Sequence, residues 1–390
     1  MPKGLGGALT WVGPWRPGPW RPGQFGEPYG LWHTLRSRGC GCGIKLLAVP
    51  AVQTPTSGRR TSRADLAAAV GLFIDGEFEL IRPIGTGSHA DVFLARQRSV
   101  ANRLVAIKSL SYLYMALSER DIKKAGQALL REGELLGGLR SPCFVDIYRC
   151  GALPDGRPYV AMEFADGHTL QDVIANLNSS QKRMTDDRVA EIIDQWSQGL
   201  AELHAAGWVH RDVTPANAAV ADGPSGEVRL KTYDLGTATQ VQEKADRFRI
   251  GWDKENPAGT PAYMAPEQAR GDTVDGRADQ YSLGCIAYEL LTGQRPLGNQ
   301  GVRAAEVLEF LRSDRPIPHQ PLGNLRADLP AEVEAAVHRA LARSPDQRHG
   351  NIRQFGQSLA QALHVGSAPG QTWWSRLWRR PAERRNGGSQ

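Results

Sequence analysis

The chain has 390 residues, 47 lysines and arginines against 41 aspartates and glutamates, and 41% hydrophobic residues. This composition excludes a disulfide-rich miniprotein, a collagen-like repeat and a wholly disordered chain, and the length suits two or three domains or one bilobal unit. The positive charge belongs to the ends, because the formal charge is +7 over residues 1–71 and +4 over residues 366–390, but −5 over residues 72–365. We therefore expect a low-complexity extension (1–71), a folded body (72–365) and a basic tail (366–390).

The extension is rich in glycine, proline and tryptophan, and its motif Pro-Trp-Arg-Pro-Gly occurs at 14–18 and again at 19–23. Such a segment buries too little apolar surface to offset its ordering entropy, so we predict that it is disordered. The alternative is an arm that docks on a membrane surface, a nucleic acid or a protein through its tryptophans and arginines.

The five cysteines are odd in number and scattered, which is a poor disulfide framework and favours a reducing cytoplasm. They are Cys40, Cys42, Cys143, Cys150 and Cys285. Cys40 and Cys42 could bind a metal, but no further histidine or cysteine completes a ligand set nearby. We expect neither a transmembrane segment nor a signal peptide, because no run of 18 apolar residues occurs and the first thirty residues have no apolar core.

The body begins with a strand-like run, 77–84, that enters a glycine-containing turn and continues as a second strand-like run to residue 95. The turn consists of Gly85, Thr86, Gly87, Ser88, His89, Ala90, Asp91 and Val92. A glycine-rich turn that exposes backbone N–H groups can bind phosphate, although an ordinary glycine hairpin shares this pattern.

A lysine interrupts the next apolar run, Val-Ala-Ile-Lys at 105–108. On a buried strand, Lys108 needs a strong anionic partner to offset its desolvation. The helix-like segment that follows offers two candidate carboxylates, Glu132 and Glu134.

Three further motifs follow in order: His-Arg-Asp-Val-Thr-Pro-Ala-Asn at 210–217, Asp-Leu-Gly at 234–236, and Gly-Thr-Pro-Ala-Tyr-Met-Ala-Pro-Glu at 259–267. With the glycine turn and Lys108, this set resembles the eukaryotic-type (Hanks-type) protein kinase family, and most closely its bacterial Ser/Thr branch. The resemblance extends from about Phe78 to about Leu363. It implies an α+β, bilobal protein kinase fold, with a small β-rich N-lobe carrying one main helix (about 75–165) and a larger, mainly helical C-lobe (about 166–363).

The resemblance implies ATP-dependent transfer of the γ-phosphoryl group to Ser or Thr hydroxyls of proteins, including the chain itself, with Mg²⁺ or in its place Mn²⁺. By the same resemblance, Lys108 holds the α- and β-phosphates and is held by Glu132 rather than Glu134. Asn217 and Asp234 are the implied metal ligands, since carboxylate and amide oxygens suit Mg²⁺.

The implied catalytic set consists of Lys108, Asp212, Thr214 and Asn217, in which Asp212 orients the substrate hydroxyl and accepts its proton. The implied ATP site comprises Ile84, the turn residues 85–92, Ala106, Lys108, Glu132, the gatekeeper Met162, and the hinge residues Glu163 and Ala165.

Other motif residues have structural roles in this family. The resemblance implies a buried column formed by Leu136, Ile147, His210 and Leu235. It also implies a buried Glu267–Arg348 ion pair, and an Asp279 that braces the catalytic loop from beneath.

The sequence departs from the family pattern at several positions. Thr214 replaces the usual lysine two residues after the catalytic aspartate, which removes a charge worth about 10²- to 10³-fold in rate. Leu235 replaces the usual phenylalanine, and Ala219 replaces the bulkier residue below the adenine.

The activation segment, 240–259, contains no serine or threonine. We hypothesise that Glu255 or Asp253 pairs with Arg211 and orders the segment without phosphorylation. Thr237, Thr239 and Thr260 are the remaining candidate acceptors, although Thr260 resembles the threonine that contacts Asp212 in this family.

Three other functions match part of the sequence. A nucleotide-binding pseudokinase scaffold is supported by Thr214 alone. A small-molecule kinase shares the catalytic loop but lacks the 259–267 segment, and a dinucleotide-binding domain is excluded because a strand follows the glycine turn where a helix should be.

The tail is rich in tryptophan and arginine. Trp373, Trp374, Leu377 and Trp378 fall on one helical face, and Arg376, Arg379 and Arg380 fall on the other. This pattern is typical of an interfacial amphipathic helix, and docking on the body is the alternative. We expect a cytoplasmic protein with protein substrates, contact with a membrane surface or a protein through its tails, and no nucleic acid.

Overall fold

The computed structural model describes residues 70–86, 90–111, 118–153, 155–240, 261–297, 302–315 and 319–364. Within these residues the chain forms a sheet-rich N-lobe followed by a mainly helical C-lobe, which confirms the predicted α+β, bilobal architecture.

The N-lobe is built on a six-stranded antiparallel sheet in the order β1-β2-β3-β4-β6-β5. Its strands are β1 (Phe73–Ile74), β2 (Phe78–Thr86), β3 (Ala90–Gln97), β4 (Arg103–Leu110), β5 (Ile147–Ala152) and β6 (Pro158–Glu163). The short edge strand β1 was not predicted, and it pairs with the start of β2. Apolar residues alternate along the strands, so each face of the sheet covers a separate hydrophobic cluster.

One long helix, α1 (Glu119–Gly138), crosses the N-lobe face that carries Lys108. Ser118 caps it, because its hydroxyl oxygen accepts a hydrogen bond from the Asp121 backbone N–H at 3.2 Å. The helix packs on β4, β5 and β6, which places Glu132 beside the lysine.

The C-lobe contains two further small sheets, β10-β9-β7 and β11-β8, that carry the catalytic and activation segments. Their strands are β7 (His168–Thr169), β8 (Trp208–Val209), β9 (Ala218–Asp222), β10 (Val228–Thr232) and β11 (Thr239–Gln240). The helices are α2 (Leu170–Ser179), α3 (Asp186–Ala205), α4 (Pro266–Arg270), α5 (Gly276–Thr292), α6 (Ala304–Arg312), α7 (Leu322–Leu325), α8 (Ala331–Ala340) and α9 (Ile352–His364).

The C-lobe core is centred on α3 and α5, with α9 packed along α3. Trp196 and Tyr281 are fully buried within it. Among the residues that the structure describes, no helix is both long enough and apolar enough to cross a bilayer.

Candidate active site

A buried lysine and two carboxylates form the centre of the cleft. Lys108 Nζ lies 2.8 Å from Glu132 Oε1 and 3.2 Å from Asp234 Oδ1. Glu132 also accepts a hydrogen bond from the backbone N–H of Leu235 at 3.1 Å. The sequence prediction of Glu132 rather than Glu134 as the partner of Lys108 agrees with this geometry, and Glu132 thereby contacts both lobes.

Burial and charge act in opposite directions on these groups. Burial alone would lower the pKa of Lys108, but Asp234 and Glu132 together raise it, so the ammonium stays charged. Burial raises the pKa of Glu132 to about 7, against the opposing effect of the Lys108 charge. Burial would also raise the pKa of Asp234, yet Lys108 and the backbone N–H of Gly236 hold it below its ordinary value.

The strand register explains why these residues meet. Lys108 lies opposite both Val92 and Val160, and Ala106 lies opposite Met162. Directly paired residues and alternate residues along a strand share one face of a sheet. Met162, the predicted gatekeeper, and Lys108 therefore face the same side as α1 and the cleft.

The structure places most of the predicted nucleotide site along these strands. Ile84, Gly85 and Thr86 end β2, Ala90, Asp91 and Val92 begin β3, Glu163 ends β6, and Ala165 follows it half-buried. Gly85 pairs with Val92 and Thr86 with Asp91, so the predicted strand–turn–strand is present. Gly87, Ser88 and His89 lie outside the described residues.

The catalytic loop brings Asp212 and Asn217 together. Asn217 Nδ2 donates to both the backbone oxygen and Oδ2 of Asp212, each at 2.9 Å. Because the amide donates through nitrogen, its oxygen is left for a cation, a role that suits its chemistry. Burial raises the pKa of Asp212, which makes it a stronger base than an exposed aspartate.

Asp279 holds the loop from below. Its carboxylate accepts backbone hydrogen bonds from His210 at 2.9 Å and Arg211 at 2.8 Å, and it lies 2.7 Å from His204 Nε2. Arg211 has a φ of 68°, a left-handed conformation that is costly for a side chain as large as arginine. Three donors on one fully buried carboxylate stabilise that strained turn, as the resemblance implied.

The other predicted structural residues are also found buried. Arg348 and Glu267 form a two-pronged ion pair with distances of 2.6 and 2.8 Å. Leu136 and Leu235 lie in one buried cluster with Ile147 packed against it, and His210 is fully buried.

The structure describes some of the residues that depart from the family pattern, and others lie outside the described ranges. Thr214 is half-buried directly before the 3₁₀ turn Pro215–Asn217, and Ala219 is buried on β9. Thr239 is buried, and the Thr237 hydroxyl donates to the His210 carbonyl at 2.9 Å, so both candidate acceptors are engaged within the fold. Asp253, Glu255 and Thr260 lie outside the described residues, and the pairing of Arg211 with an acidic residue stays a prediction.

Two contacts of the site were not predicted. Lys231 Nζ donates to Glu163 Oε2 at 2.7 Å and to the Phe144 carbonyl at 3.2 Å, which ties the hinge to β10. The Tyr233 hydroxyl donates to the Ala216 carbonyl at 2.5 Å. The signal for both is the alternation at the end of β10, where Leu230 and Thr232 are buried while Lys231, and Tyr233 directly after the strand, are half-buried.

Comparisons with known proteins agree with this geometry. Residues 78–360 match the family model of the protein kinase domain. The chain is 34% identical to the serine/threonine-protein kinase PknB of Mycolicibacterium smegmatis over 303 residues, which cover 76% of this chain and 44% of PknB. It is 34% identical to the serine/threonine-protein kinase Pkn1 of Myxococcus xanthus over 291 residues, which cover 74% of this chain and 38% of Pkn1.

A solved structure is similar as well. The crystal structure of the Mycobacterium tuberculosis PknI kinase domain matches with a TM-score of 0.55 and 26% identity, covering 75% of this chain and 99% of that domain. The chain therefore spans less than half the length of the curated relatives described above, but nearly all of a solved catalytic domain.

Proposed function

The chain belongs to the protein kinase domain family, in its bacterial Hanks-type serine/threonine branch, and on that premise we propose that it is an ATP-dependent serine/threonine protein kinase. The observation that carries the proposal is the buried contact of Lys108 with Glu132 and Asp234. A structural protein gains little from a buried lysine that needs two carboxylates, whereas phosphoryl transfer needs a fixed positive charge beside the phosphates.

In the proposed reaction the substrate hydroxyl oxygen bonds to the γ-phosphorus while the bond from that phosphorus to the bridging oxygen of ADP breaks. The departing ADP keeps the electron pair, and the hydroxyl proton passes to Asp212. Asn217 fixes the Asp212 carboxylate through its amide, so the base is oriented before the substrate arrives.

Asp234 and Asn217 supply the oxygen donors for Mg²⁺, or for Mn²⁺ in its place. Hard carboxylate and amide oxygens suit such an ion, and Asp234 keeps its charge because Lys108 lowers its pKa. Bound there, the ion would neutralise charge on the phosphates. The proposed nucleotide site also includes Met162 as gatekeeper and the backbone groups of Glu163 and Ala165 as hinge.

The test is transfer from labelled ATP to the protein itself and to a generic basic protein. Lys108→Ala and Asp212→Asn should each abolish it, and the exposed Lys182 offers a matched charge-loss control, Lys182→Ala, that should leave it unchanged. Wild-type protein that binds Mg·ATP but transfers no phosphate would replace the proposal with a nucleotide-binding pseudokinase.

Thr214 is the specific observation that favours the pseudokinase alternative, because it removes the usual cation from the catalytic loop. Thr214→Lys tests what the missing charge does. If wild-type protein already transfers phosphate, the variant should raise kcat or leave it unchanged; if wild-type protein is inactive because the charge is missing, transfer should be detected only in the variant.

We further propose that the tryptophan- and arginine-bearing ends contact a membrane surface or a protein and that the chain does not bind nucleic acid. The distribution of charge supports contact of the ends with an anionic surface, because the body carries −5 and the ends +11. Sedimentation with anionic vesicles should be lost when Trp373, Trp374 and Trp378 are changed to alanine, with phosphate transfer unchanged. Vesicle binding that persists in this variant would contradict a role of the tail.

A further inference from the structure

A contact across the two lobes lies beside the Lys108–Glu132 pair. The Arg131 guanidinium carbon is 4.8 Å from the centroid of the Trp208 ring. A guanidinium within about 6 Å of an indole centroid is attracted to the negative face of the ring. Arg131 belongs to α1 of the N-lobe and Trp208 to β8 of the C-lobe, so this attraction joins the lobes.

Arg131 and Trp208 each lie next to a residue or segment of the candidate active site. Arg131 precedes Glu132, and successive helix residues point about 100° apart, so one turn of α1 directs Glu132 to Lys108 and Arg131 to the C-lobe. Trp208 pairs with Gln240 of β11 and is followed after one residue by His210. The contact therefore links the helix that carries Glu132 to the strand that leads into the catalytic loop and supports the start of the activation segment.

Helix α1 packs on β4, β5 and β6, but its own tendency to form a helix is weak, so contacts with the C-lobe help to stabilise it. It contains four glycines among 20 residues, and glycine is the weakest helix former after proline. Among the described residues, the other polar contact of α1 with the C-lobe near Arg131 is the hydrogen bond that the Leu235 backbone N–H donates to Glu132.

Arg131 has no acidic partner among the described residues that could replace the contact with Trp208. Within the described ranges, no carboxylate forms an ion pair with its guanidinium, which is exposed on the other side. Residues 240–259 contain no serine or threonine, so a phosphate in that segment cannot supply the anchor for α1.

We propose that Arg131 and Trp208 form a positioning pair that keeps Glu132 on Lys108 without phosphorylation of the activation segment. The inference rests on the proposed kinase function. The pair touches neither nucleotide nor substrate, and it acts by holding α1 against the C-lobe.

The first experiment measures kcat/KM for ATP in the dephosphorylated 390-residue protein. Arg131→Ala and Trp208→Leu should each lower it about 5- to 10-fold, and the double variant should be no worse than either single change. Arg131→Lys and Trp208→Phe keep a cation and an aromatic face, and should recover most of the activity. Arg120→Ala removes the same charge from the exposed first turn of α1 and should have no effect.

A second comparison tests the route of the effect. In a Glu132→Gln background, Arg131→Ala should cause no further loss of kcat/KM, because the residue to be positioned is already gone. The proposal would be overturned if the fold-losses in kcat/KM of Arg131→Ala and Trp208→Leu multiply in the double variant. It would also be overturned if Arg131→Ala lowers kcat/KM further in the Glu132→Gln background.

Hydrogen exchange of the α1 amides, Glu119–Gly138, provides a readout that needs no catalysis. Arg131→Ala and Trp208→Leu should speed exchange there, while Arg120→Ala should not do so beyond its own turn. If wild-type protein transfers no phosphate, the proposed function fails while this exchange result still decides the pair. Unchanged exchange in both variants would overturn the pair even in an active kinase.

Discussion

Tyr233 holds Asn217 through the peptide groups on both sides of it. Its hydroxyl donates to the Ala216 carbonyl at 2.5 Å, and its backbone N–H donates to the Asn217 carbonyl at 3.3 Å. The amide oxygen of Asn217 is the proposed metal ligand, so the phenol of Tyr233 fixes a ligand without touching the ion.

Tyr233→Phe should therefore weaken the response to Mg²⁺ more than the binding of ATP. A neutral hydrogen bond is worth about 0.5–1.5 kcal/mol, so we expect the Mg²⁺ concentration for half-maximal rate to rise about 2- to 13-fold. The measurement is a Mg²⁺ titration of initial rates at saturating ATP. Tyr148→Phe removes a hydroxyl from the N-lobe edge and should leave the titration unchanged, and an unchanged titration in Tyr233→Phe would contradict the assigned role.

Gly133 allows α1 to approach the sheet closely. A Cβ at this position would lie 3.0 Å from Cys150 Sγ and 3.1 Å from a methyl carbon of Val160. Gly133→Ala should therefore lower kcat/KM about tenfold by displacing Glu132, although alanine is the better helix former by about 1 kcal/mol.

Gly138 provides the matched control, because a Cβ there would meet no atom within 4 Å. Gly138→Ala should leave kcat/KM unchanged, with unfolding temperature equal or slightly higher. The expectation for Gly133 is wrong if both variants keep full activity.

Much of the site was predictable because each motif residue has a chemical task that few residue types can perform. The strand period placed Lys108 on a buried face, and its desolvation required a carboxylate, which left Glu132 and Glu134 as candidates. The family resemblance then selected Glu132 and supplied Asp279 and the Glu267–Arg348 pair, since none of these follows from local pattern alone.

The missed contacts depend on register between segments far apart in sequence. Lys231 meets Glu163, and Arg131 meets Trp208, only after β10 and β8 have docked below the hinge and α1. No local periodicity encodes those distances. The edge strand Phe73–Ile74 was missed because two residues are too few for an alternation to be recognised.

Removal of one partner of the Glu267–Arg348 pair should strongly destabilise the C-lobe. Both side chains are almost fully buried, at 5% and 0% exposure, so Glu267→Gln leaves an uncompensated guanidinium inside the protein. We expect the free energy of unfolding to fall by about 3–5 kcal/mol. The Arg277–Asp346 pair is the exposed counterpart, with 86% of the Asp346 side chain in solvent, and Asp346→Asn should cost less than about 1 kcal/mol. Equal losses in urea denaturation of the two variants would contradict the assignment.

His349 should make the folded protein less stable below neutral pH. Burial and the charge of Arg339 lower its pKa below the ordinary value of 6.5, against the opposing hydrogen bond between its ring and the Ala336 carbonyl at 3.0 Å. As pH falls through 6.5, the unfolded chain therefore takes up a proton before the folded one does, and the free energy of unfolding decreases. This single group can account for at most about 1.4 kcal/mol at pH 5.5.

The measurement compares urea unfolding at pH 7.5 and 5.5 in wild type and His349→Gln, where the glutamine amide can still donate to the Ala336 carbonyl. The variant should lose less stability between the two pH values than wild type does. His168→Gln, at an exposed position, should keep the wild-type pH dependence. The same pH dependence in all three proteins would mean that His349 is protonated equally in the folded and unfolded chains, and that its burial does not affect its titration.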